Sequence, residues 1–333
     1  MESFAPKIIY VERGCEAYEL GKNLIEKYAD TEMVWIEDHN RILELRERPD
    51  SDFPRLKDIL VLGIRKSLTY RKNNKTSDYL VPYTSSGCSA MCLYCYLVCT
   101  YYKCSYLRVF VNREQMMKKL KDSARKYPGS VFEIGSNSDL VLENVVSGNL
   151  EWTIRQFADV KNARLTLPTK FDMIDPLLRI DHGQNVTIRM SLNPDEIINR
   201  IEFRTSRLDA RIAAINKLYQ ANYTVGILIA PIILIEGYER MYKQLFQTMA
   251  QKILPEILKS VSLEIIFMTY GTVTHGINKQ AFPRAEELYN GDTMSYCGRH
   301  RYGYTKDTKE KALSFLKVCI QQYLPNAKIE YIV

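Results

Sequence analysis

Apolar residues in the first third of the chain fall into short runs separated by a stretch of helical spacing. The runs at 8–11, 33–36 and 59–64 predict strands, whereas residues 15–28 carry apolar side chains at the spacing of an amphipathic helix. The run at 59–64 contains no polar side chain, which is typical of a strand buried on both faces. This alternation predicts a small parallel α/β layer at the N-terminal end.

From Tyr79 onward the alternation of strand and helix patterns becomes regular. Apolar runs predict strands at 79–83, 131–134, 164–167, 186–192, 225–229 and 263–268, and helical patterns fall at 113–127, 150–157, 209–221 and 238–253. Six strands, most of them followed by a helix, favour a partial (β/α)6 barrel with its active-site groups at the carboxyl ends of the strands. A helix at 308–323 and a strand at 328–333 are predicted to complete the chain.

The polar run at 71–78 has no apolar periodicity, and we expect the boundary between the two parts within it. The predicted division is an N-terminal α/β domain at 1–77 and a partial barrel at 78–333. A hydrophobic content of 46% in 333 residues is sufficient for the core of both. The formal charge of +7 permits a polyanionic partner. Because no run approaches a membrane span and the N-terminus lacks a signal-peptide pattern, we expect a cytoplasmic protein without a membrane partner.

Cys88, Cys92 and Cys95 form a C-x3-C-x2-C triplet in the long loop after the first predicted barrel strand. Three thiolates can hold three corners of a [4Fe-4S] cluster, which ordinarily takes four cysteine ligands. The missing ligand leaves one iron open, as a catalytic metal site keeps a position for its substrate. A zinc site is the alternative, with Cys99 and Cys104 nearby, and disulfides are disfavoured in a reducing compartment.

The triplet, with Tyr94 directly before its last cysteine, resembles the signature of the radical S-adenosylmethionine enzymes. Further segments resemble the spore photoproduct lyase family: 92–97, 132–133, 138–139, 169–171, 189–193, 229–232 and 325–331. The resemblance implies that the three cysteines hold a [4Fe-4S] cluster. It also implies an S-adenosylmethionine site lined by Tyr94, Ser138, Lys170, Ser191, Asn193 and Ala230.

The same resemblance implies a light-independent DNA-repair lyase that returns the spore photoproduct, 5-thyminyl-5,6-dihydrothymine, to two thymines. A 5′-deoxyadenosyl radical would take a hydrogen atom from C6 of the dimer, the bond between the thymines would break, and a hydrogen atom would return to the product. The implied partners are double-stranded DNA carrying the lesion and an electron donor such as flavodoxin or ferredoxin. We expect a monomer, located in the spore core of a spore-forming bacterium.

Two segments depart from the family pattern. Ser136 stands where family members carry the cysteine that returns the hydrogen atom. The lesion-binding hairpin is shortened, with Arg301 and Tyr302 as its closest match and Gly298-Arg299 as an alternative register. We therefore hypothesise that Cys297 is the hydrogen donor, with Tyr94 and Tyr96 as the other candidates.

Two other functions are compatible with these residues. A related radical S-adenosylmethionine enzyme could act on a different nucleic acid or on a peptide. A nucleic-acid-binding protein could instead use the cysteines to hold structural zinc. Anaerobic purification distinguishes the last function, since an iron–sulfur protein is brown and a zinc protein is colourless.

Overall fold

The computed structural model describes residues 4–333. Most of the strands belong to two sheets, which are flanked by helices. The strands are β1 (Ile8–Glu12), β2 (Glu32–Ile36), β3 (Ile59–Gly63), β4 (Arg71–Lys72), β5 (Tyr79–Leu80), β6 (Ser85–Ser86), β7 (Met91–Cys92), β8 (Leu107–Phe110), β9 (Val131–Glu133), β10 (Arg164–Thr169), β11 (Val186–Leu192), β12 (Glu202–Phe203), β13 (Thr224–Ile232), β14 (Ser262–Phe267), β15 (Thr269–Gly271), β16 (Met294–Tyr296), β17 (Arg301–Tyr304) and β18 (Lys328–Ile332).

The helices mostly follow the strands of the larger sheet, as the alternating pattern predicts. They are α1 (Glu19–Lys27), α2 (Leu43–Glu47), α3 (Phe53–Leu56), α4 (Tyr96–Tyr101), α5 (Arg113–Lys126), α6 (Leu140–Ser147), α7 (Asn149–Phe157), α8 (Asp195–Ile201), α9 (Leu208–Gln220), α10 (Tyr238–Lys252), α11 (Pro255–Leu258), α12 (Thr272–Ala281) and α13 (Lys306–Tyr323). Short 3-10 turns lie at Cys15–Ala17, Asp50–Asp52, Tyr102–Cys104 and Asp175–Leu177.

The larger sheet is a curled half-barrel with the strand order β18-β14-β13-β11-β10-β9-β5-β4. All neighbouring strands in it are parallel except the edge pair β4 and β5. Its six central strands are the six predicted from the sequence, although the first of them ends at Leu80 rather than at 83. The predicted fold class, a partial (β/α)6 barrel with an N-terminal α/β layer, is confirmed.

The alternation of side chains along each barrel strand separates the core from the site. In β11, Ile188, Met190 and Leu192 are buried in the hydrophobic core, whereas Arg189 and Ser191 line the concave side of the sheet. Successive side chains of a strand point to opposite faces, so one strand supplies both surfaces. The polar residues that alternate with the apolar residues of the strand therefore face the concave side.

The N-terminal sheet has the strand order β2-β1-β3-β8-β6. Its strands β6 and β8 follow residue 78, whereas β4, which precedes that residue, belongs to the half-barrel. The division at 1–77 and 78–333 stays a prediction. The chain crosses from one sheet to the other both before and after residue 78. A two-stranded pair of β7 with β12 and a three-stranded sheet, β15-β17-β16, complete the strand pairing of the described residues.

Candidate functional site

The loop between β5 and β8 carries the cysteine triplet and is fixed to both sheets. Cys88 is buried, and its N–H donates to the carbonyl oxygen of Ser105 at 3.1 Å. Cys92 lies in β7, opposite Glu202 of β12, and the N–H of Cys95 donates to the carbonyl of Cys92 at 3.1 Å. All three thiols are free, and all three line one cavity.

Gly87 explains why the loop can approach the N-terminal sheet so closely. Its φ is +75°, and a Cβ at this position would lie 1.9 Å from the carbonyl oxygen of Tyr106. Only glycine accommodates both the left-handed backbone and this approach. Cys88 therefore occupies its position because the preceding residue has no side chain.

The cavity has a volume of about 460 Å³ and opens at the carboxyl ends of the half-barrel strands. Nine of the thirteen site residues predicted from the sequence line it: Cys88, Cys92, Tyr94, Cys95, Tyr96, Ser138, Lys170, Ser191 and Ala230. Asn193 lies behind this lining, buried, with its Nδ2 donating to Glu202 at 2.8 Å. Cys297, Arg301 and Tyr302 lie on the neighbouring hairpin and outside the lining.

Lys170 follows β10 and reaches across the strand ends. Its Nζ lies 2.6 Å from Ser191 Oγ, 2.8 Å from the carbonyl oxygen of Ala230 and 5.6 Å from the ring centre of Tyr94. Asp139 fixes the start of this segment by accepting the Lys170 N–H at 2.9 Å and the Thr169 hydroxyl at 2.8 Å. The structure thus brings together the cofactor-site residues that lie far apart in the sequence.

Glu202 is a buried carboxylate that the sequence analysis did not identify. Its oxygens accept from Tyr94 Oη, from Asn193 Nδ2 at 2.8 Å and from Arg211 Nη2 at 2.6 Å, and Lys170 Nζ lies 3.1 Å away. Burial opposes its ionisation, but Lys170 and Arg211 together with these hydrogen bonds hold the pKa of Glu202 at about 2. The ionised carboxylate therefore fixes both Tyr94 and Lys170 at the edge of the cavity.

A second ion cluster crosses the concave side of the sheet. Arg189 Nη2 lies 2.5 Å from Glu133, and its Nη1 lies 2.9 Å from Glu264. Burial works against the charge of Arg189, but the two glutamates raise its pKa. Arg189 Nη1 also donates to Thr76 at 2.9 Å, and Tyr331 Oη donates to Glu264 at 2.5 Å. The cluster joins four strands of the half-barrel and the segment before β5.

Aromatic and basic residues lie at the edge of the cavity and on the neighbouring hairpin. Tyr96 is 59% exposed, and its hydroxyl donates to the carbonyl oxygen of Ser136. The ring of Tyr302 in β17 packs against Tyr289 of the loop before β16, with the ring centres 4.6 Å apart. Arg301 Nε is buried without a hydrogen-bond partner, and Cys297 Sγ lies 3.4 Å from the Arg301 carbonyl oxygen. Arg301 and Cys297 thus lie together at the turn of β16 and β17.

Two observations test whether these residues fit the cofactors expected from the sequence. The three thiols share one wall of the cavity, and their number and softness suit iron in a cluster. Ser138 belongs to the lining of the same cavity, and its Oγ is buried without a protein partner, so that it is available to bond a polar ligand group. The residues fit both the cluster and a polar organic cofactor. Within residues 4–333, no helix is long and apolar enough to cross a membrane.

A half-barrel with three cysteines in the loop after its first strand, and a cavity beside them that Lys170 and Ser191 line, defines a radical S-adenosylmethionine enzyme. The family model described as spore photoproduct lyase matches residues 4–333. The chain belongs to the spore photoproduct lyase family.

Relatives and solved structures agree along the whole length. The chain is 29% identical to a spore photoproduct lyase of Bacillus subtilis (strain 168), over 98% of both chains. It is 27% identical to one of Clostridium acetobutylicum, over 100% of both. A structure of spore photoproduct lyase complexed with dinucleoside spore photoproduct matches with a TM-score of 0.92 at 27% identity, covering 100% of each chain. A doubly substituted variant with bound AdoMet and the same lesion matches equally, with a TM-score of 0.92 at 26% identity and full coverage of both chains.

Proposed function

We propose that this protein reverses the spore photoproduct in DNA to two thymines, without light, through abstraction of a hydrogen atom from C6 of the lesion. The observation that carries the proposal is the single cavity that joins three free thiols to Lys170, Ser191 and the unsatisfied Ser138 hydroxyl. Relatives of the same length bear the name of this activity, and one related structure holds both AdoMet and the lesion.

Cys88, Cys92 and Cys95 would hold a [4Fe-4S] cluster and leave one iron open to S-adenosylmethionine. When bound, the two groups supply the one-electron chemistry that removes the hydrogen atom. Burial raises the pKa of the Cys88 thiol to about 12, although Lys57 acts in the opposite direction. A thiolate at this position therefore requires the metal, which deprotonates a coordinating thiol outright.

Tyr94, Ser138, Lys170, Ser191, Asn193 and Ala230 would form the S-adenosylmethionine site. Lys170 is the cation at the wall of the cavity and suits the methionyl carboxylate. Ser138 offers a free hydroxyl, whereas Asn193 acts through Glu202 because both ends of its amide are bonded within the protein. The site would thus bind the cofactor by charge and hydrogen bonds.

Arg301 and Tyr302 would hold the lesion, since their hairpin lies beside Thr269 at the rim of the cavity. The lesion must leave the base stack to enter the cavity, which costs a few kcal/mol and least at a damaged step. The net charge of +7 supports binding to the phosphates of double-stranded DNA. Binding that weakens steeply as the salt concentration rises is the expected result in a filter-binding or anisotropy assay.

Cys297 would return the hydrogen atom to the product, because the position of the family cysteine is Ser136 and a serine O–H bond is too strong for this role. Its place in the hairpin is on the same sheet face as Thr269, which lines the cavity. Tyr94 and Tyr96 line the cavity itself and are the alternative donors. In the Cys297→Ala variant, turnover and label transfer to thymine should fall sharply, with Cys104→Ala as control. Unchanged label transfer would exclude Cys297.

The test of the function is anaerobic reconstitution followed by an assay with DNA that contains the lesion, dithionite and S-adenosylmethionine. We expect a brown protein that restores the two thymines within the DNA strand and forms 5′-deoxyadenosine. Cys92→Ser should lose both products, whereas the control Cys319→Ser, at a buried cysteine of α13, should keep them. A colourless zinc-loaded protein would contradict the cluster. Cleavage of S-adenosylmethionine without repair of the lesion would indicate another substrate, such as a different nucleic acid or a peptide.

We further propose a monomer in the cytoplasm, or in the spore core, that receives its electron from a flavodoxin or a ferredoxin. The relatives come from Bacillus, Geobacillus and Clostridium, which supports the location. Sedimentation of the reconstituted protein tests whether it is a monomer. Lyase turnover with reduced flavodoxin in place of dithionite tests the electron donor.

A further inference from the structure

Lys57 is a fully buried lysine at the back of the cysteine loop. It follows α3 at the edge of the N-terminal sheet and has an exposed fraction of 0%. Its Nζ donates to the carbonyl oxygen of Cys88 at 2.9 Å and to the carbonyl and hydroxyl oxygens of Ser105, each at 2.8 Å. The Ser105 carbonyl also accepts the N–H of Cys88. Lys57 therefore contacts the loop at the first residue of the triplet.

The charge of Lys57 has no anionic partner among residues 4–333. Its three acceptors are neutral oxygens, and the neighbouring carboxylate, Asp58, is paired with Lys7 at 3.0 Å and with Arg204 at 2.5 Å. A buried cation without a counter-charge is strongly unfavourable, and such groups are ordinarily paired. Burial lowers the pKa of Lys57, whereas the three cysteine side chains act in the opposite direction when they are thiolates. Nζ donates to three acceptors, which uses all three N–H groups of an ammonium.

A second buried cation lies on the same side of the loop. Arg108 of β8 is 6% exposed, and its Nη2 donates to the carbonyl oxygen of Cys104 at 2.9 Å. Its Nε and Nη1 have no partner, and its guanidinium lies 4.3 Å from the ring centre of Tyr106. Because these two buried cations have only neutral partners, the region against which this loop packs is electropositive.

We propose that Lys57 is a positioning residue whose charge offsets the negative charge of the cluster bound by Cys88, Cys92 and Cys95, and that it thereby raises the reduction potential of that cluster. This inference rests on the cluster in the proposed function. Three thiolates outweigh the positive charge of the oxidised cubane, and reduction adds one further electron from an external one-electron donor. A fixed cation stabilises the more negative, reduced form, and charge near a cluster is one of the factors that set its potential.

The experiment compares three variants after anaerobic reconstitution: Lys57→Met, which keeps the length without the charge, Lys57→Arg, which keeps the charge, and Lys103→Met. Lys103 is the matched control because it belongs to the loop that Lys57 contacts but is paired with Asp50 at 3.3 Å. Midpoint potentials are measured by redox titration followed by electron paramagnetic resonance. We expect Lys57→Met to lower the ratio of reduced to oxidised cluster, at a fixed applied potential, at least threefold. This corresponds to a midpoint potential lower by roughly 30 mV, since a tenfold change in the ratio equals about 59 mV for one electron. Lys57→Arg and Lys103→Met should stay close to wild type.

A smaller shift, a shift to higher potential, or an equal shift in Lys103→Met overturns the proposal. If Lys57→Met binds no cluster, thermal unfolding of the cluster-free proteins decides. If the variant is at least as stable as the wild type, the charge of Lys57 is not compensated within the cluster-free protein, which supports the proposal. If the variant is less stable, Lys57 has a purely structural role. Failure of the wild-type protein to give any cluster signal is a different result, since it would refute the proposed cluster itself and, with it, the role of Lys57.

Discussion

Replacement of Glu202 by glutamine should strongly destabilise the protein, because it leaves the cations around this residue without their anion. Glu202 and Arg211 both have fully buried side chains, with Nη2 and Oε2 2.6 Å apart, and Lys170 Nζ lies 3.1 Å from Oε1. Removal of one partner from a buried ion pair costs about 3–5 kcal/mol. The lowering of the Glu202 pKa from 4.5 to about 2 gives a similar value, about 3 kcal/mol.

The assay is urea unfolding of the cluster-free protein at pH 7, followed by circular dichroism. The exposed pair Glu196 and Arg240, with a separation of 2.7 Å, provides the control: Glu196→Gln should cost no more than about 1 kcal/mol. The double variant Glu202→Gln with Arg211→Gln should lose about 2 kcal/mol less free energy of unfolding than the sum of the losses in the two single variants.

The pH dependence follows from the direction of the shift. Because the pKa of Glu202 is lower in the folded state, its contribution is complete above about pH 4.5 and is lost as the pH falls towards 2. If Glu202→Gln costs no more than Glu196→Gln at pH 7, the reasoning about this buried network is wrong.

Three further predictions concern residues outside this network. Burial raises the pKa of Glu143 to about 7, so between pH 4.5 and 7 the folded state holds a proton that the unfolded state loses. The free energy of unfolding should therefore fall by about 3 kcal/mol from pH 4.5 to 7. Glu143→Gln should flatten this pH profile in urea unfolding. Gly87→Ala should cost more than about 2 kcal/mol in urea unfolding and should reduce the iron content after reconstitution severalfold, because its Cβ would meet a backbone carbonyl at 1.9 Å. Phe246→Ala, at a side chain with an exposed fraction of 0%, should cost about 3–5 kcal/mol by the same measurement.

Each of these has a control or a contrary outcome. A stability profile of Glu143→Gln that follows the wild type would show that another group titrates. Gly129 also has a positive φ, +86°, but open space around its Cβ, so Gly129→Ala should cost only about 1 kcal/mol. A similar cost for both glycines would exclude the close approach at Gly87 as the cause. Val318→Ala, at a residue that is 63% exposed, should change stability by less than about 0.5 kcal/mol.

The half-barrel was predictable because its strands and helices carry their own periodicity. Several elements were not predicted, and three of them illustrate the reason, because each lacks such a pattern. α6 (Leu140–Ser147) has four buried aliphatic side chains in eight residues, so that its apolar run shows no single helical face. β8 has a buried arginine, Arg108, in the middle of four residues. α12 carries only two buried residues, Thr274 and Ile277.

The site was predictable only where spacing along the sequence encodes it. The cysteine triplet spans eight residues, and its chemistry follows from that spacing. Glu202 was missed because its partner Tyr94 lies 108 residues away and no motif surrounds it. Lys57 was missed for the same reason, since the carbonyl groups it meets belong to Cys88 and Ser105.

The interleaving of the two sheets has a consequence for how this protein can be divided. After β3 the chain leaves the N-terminal sheet for β4 and β5, returns for β6, leaves again through the cysteine loop, and returns once more as β8. The N-terminal layer is therefore not a module that could be exchanged, deleted or expressed separately. One side of its sheet is built from β8 and the edge strand β6, which bracket the cysteine triplet, so a cut that frees the layer would also remove the metal-binding loop.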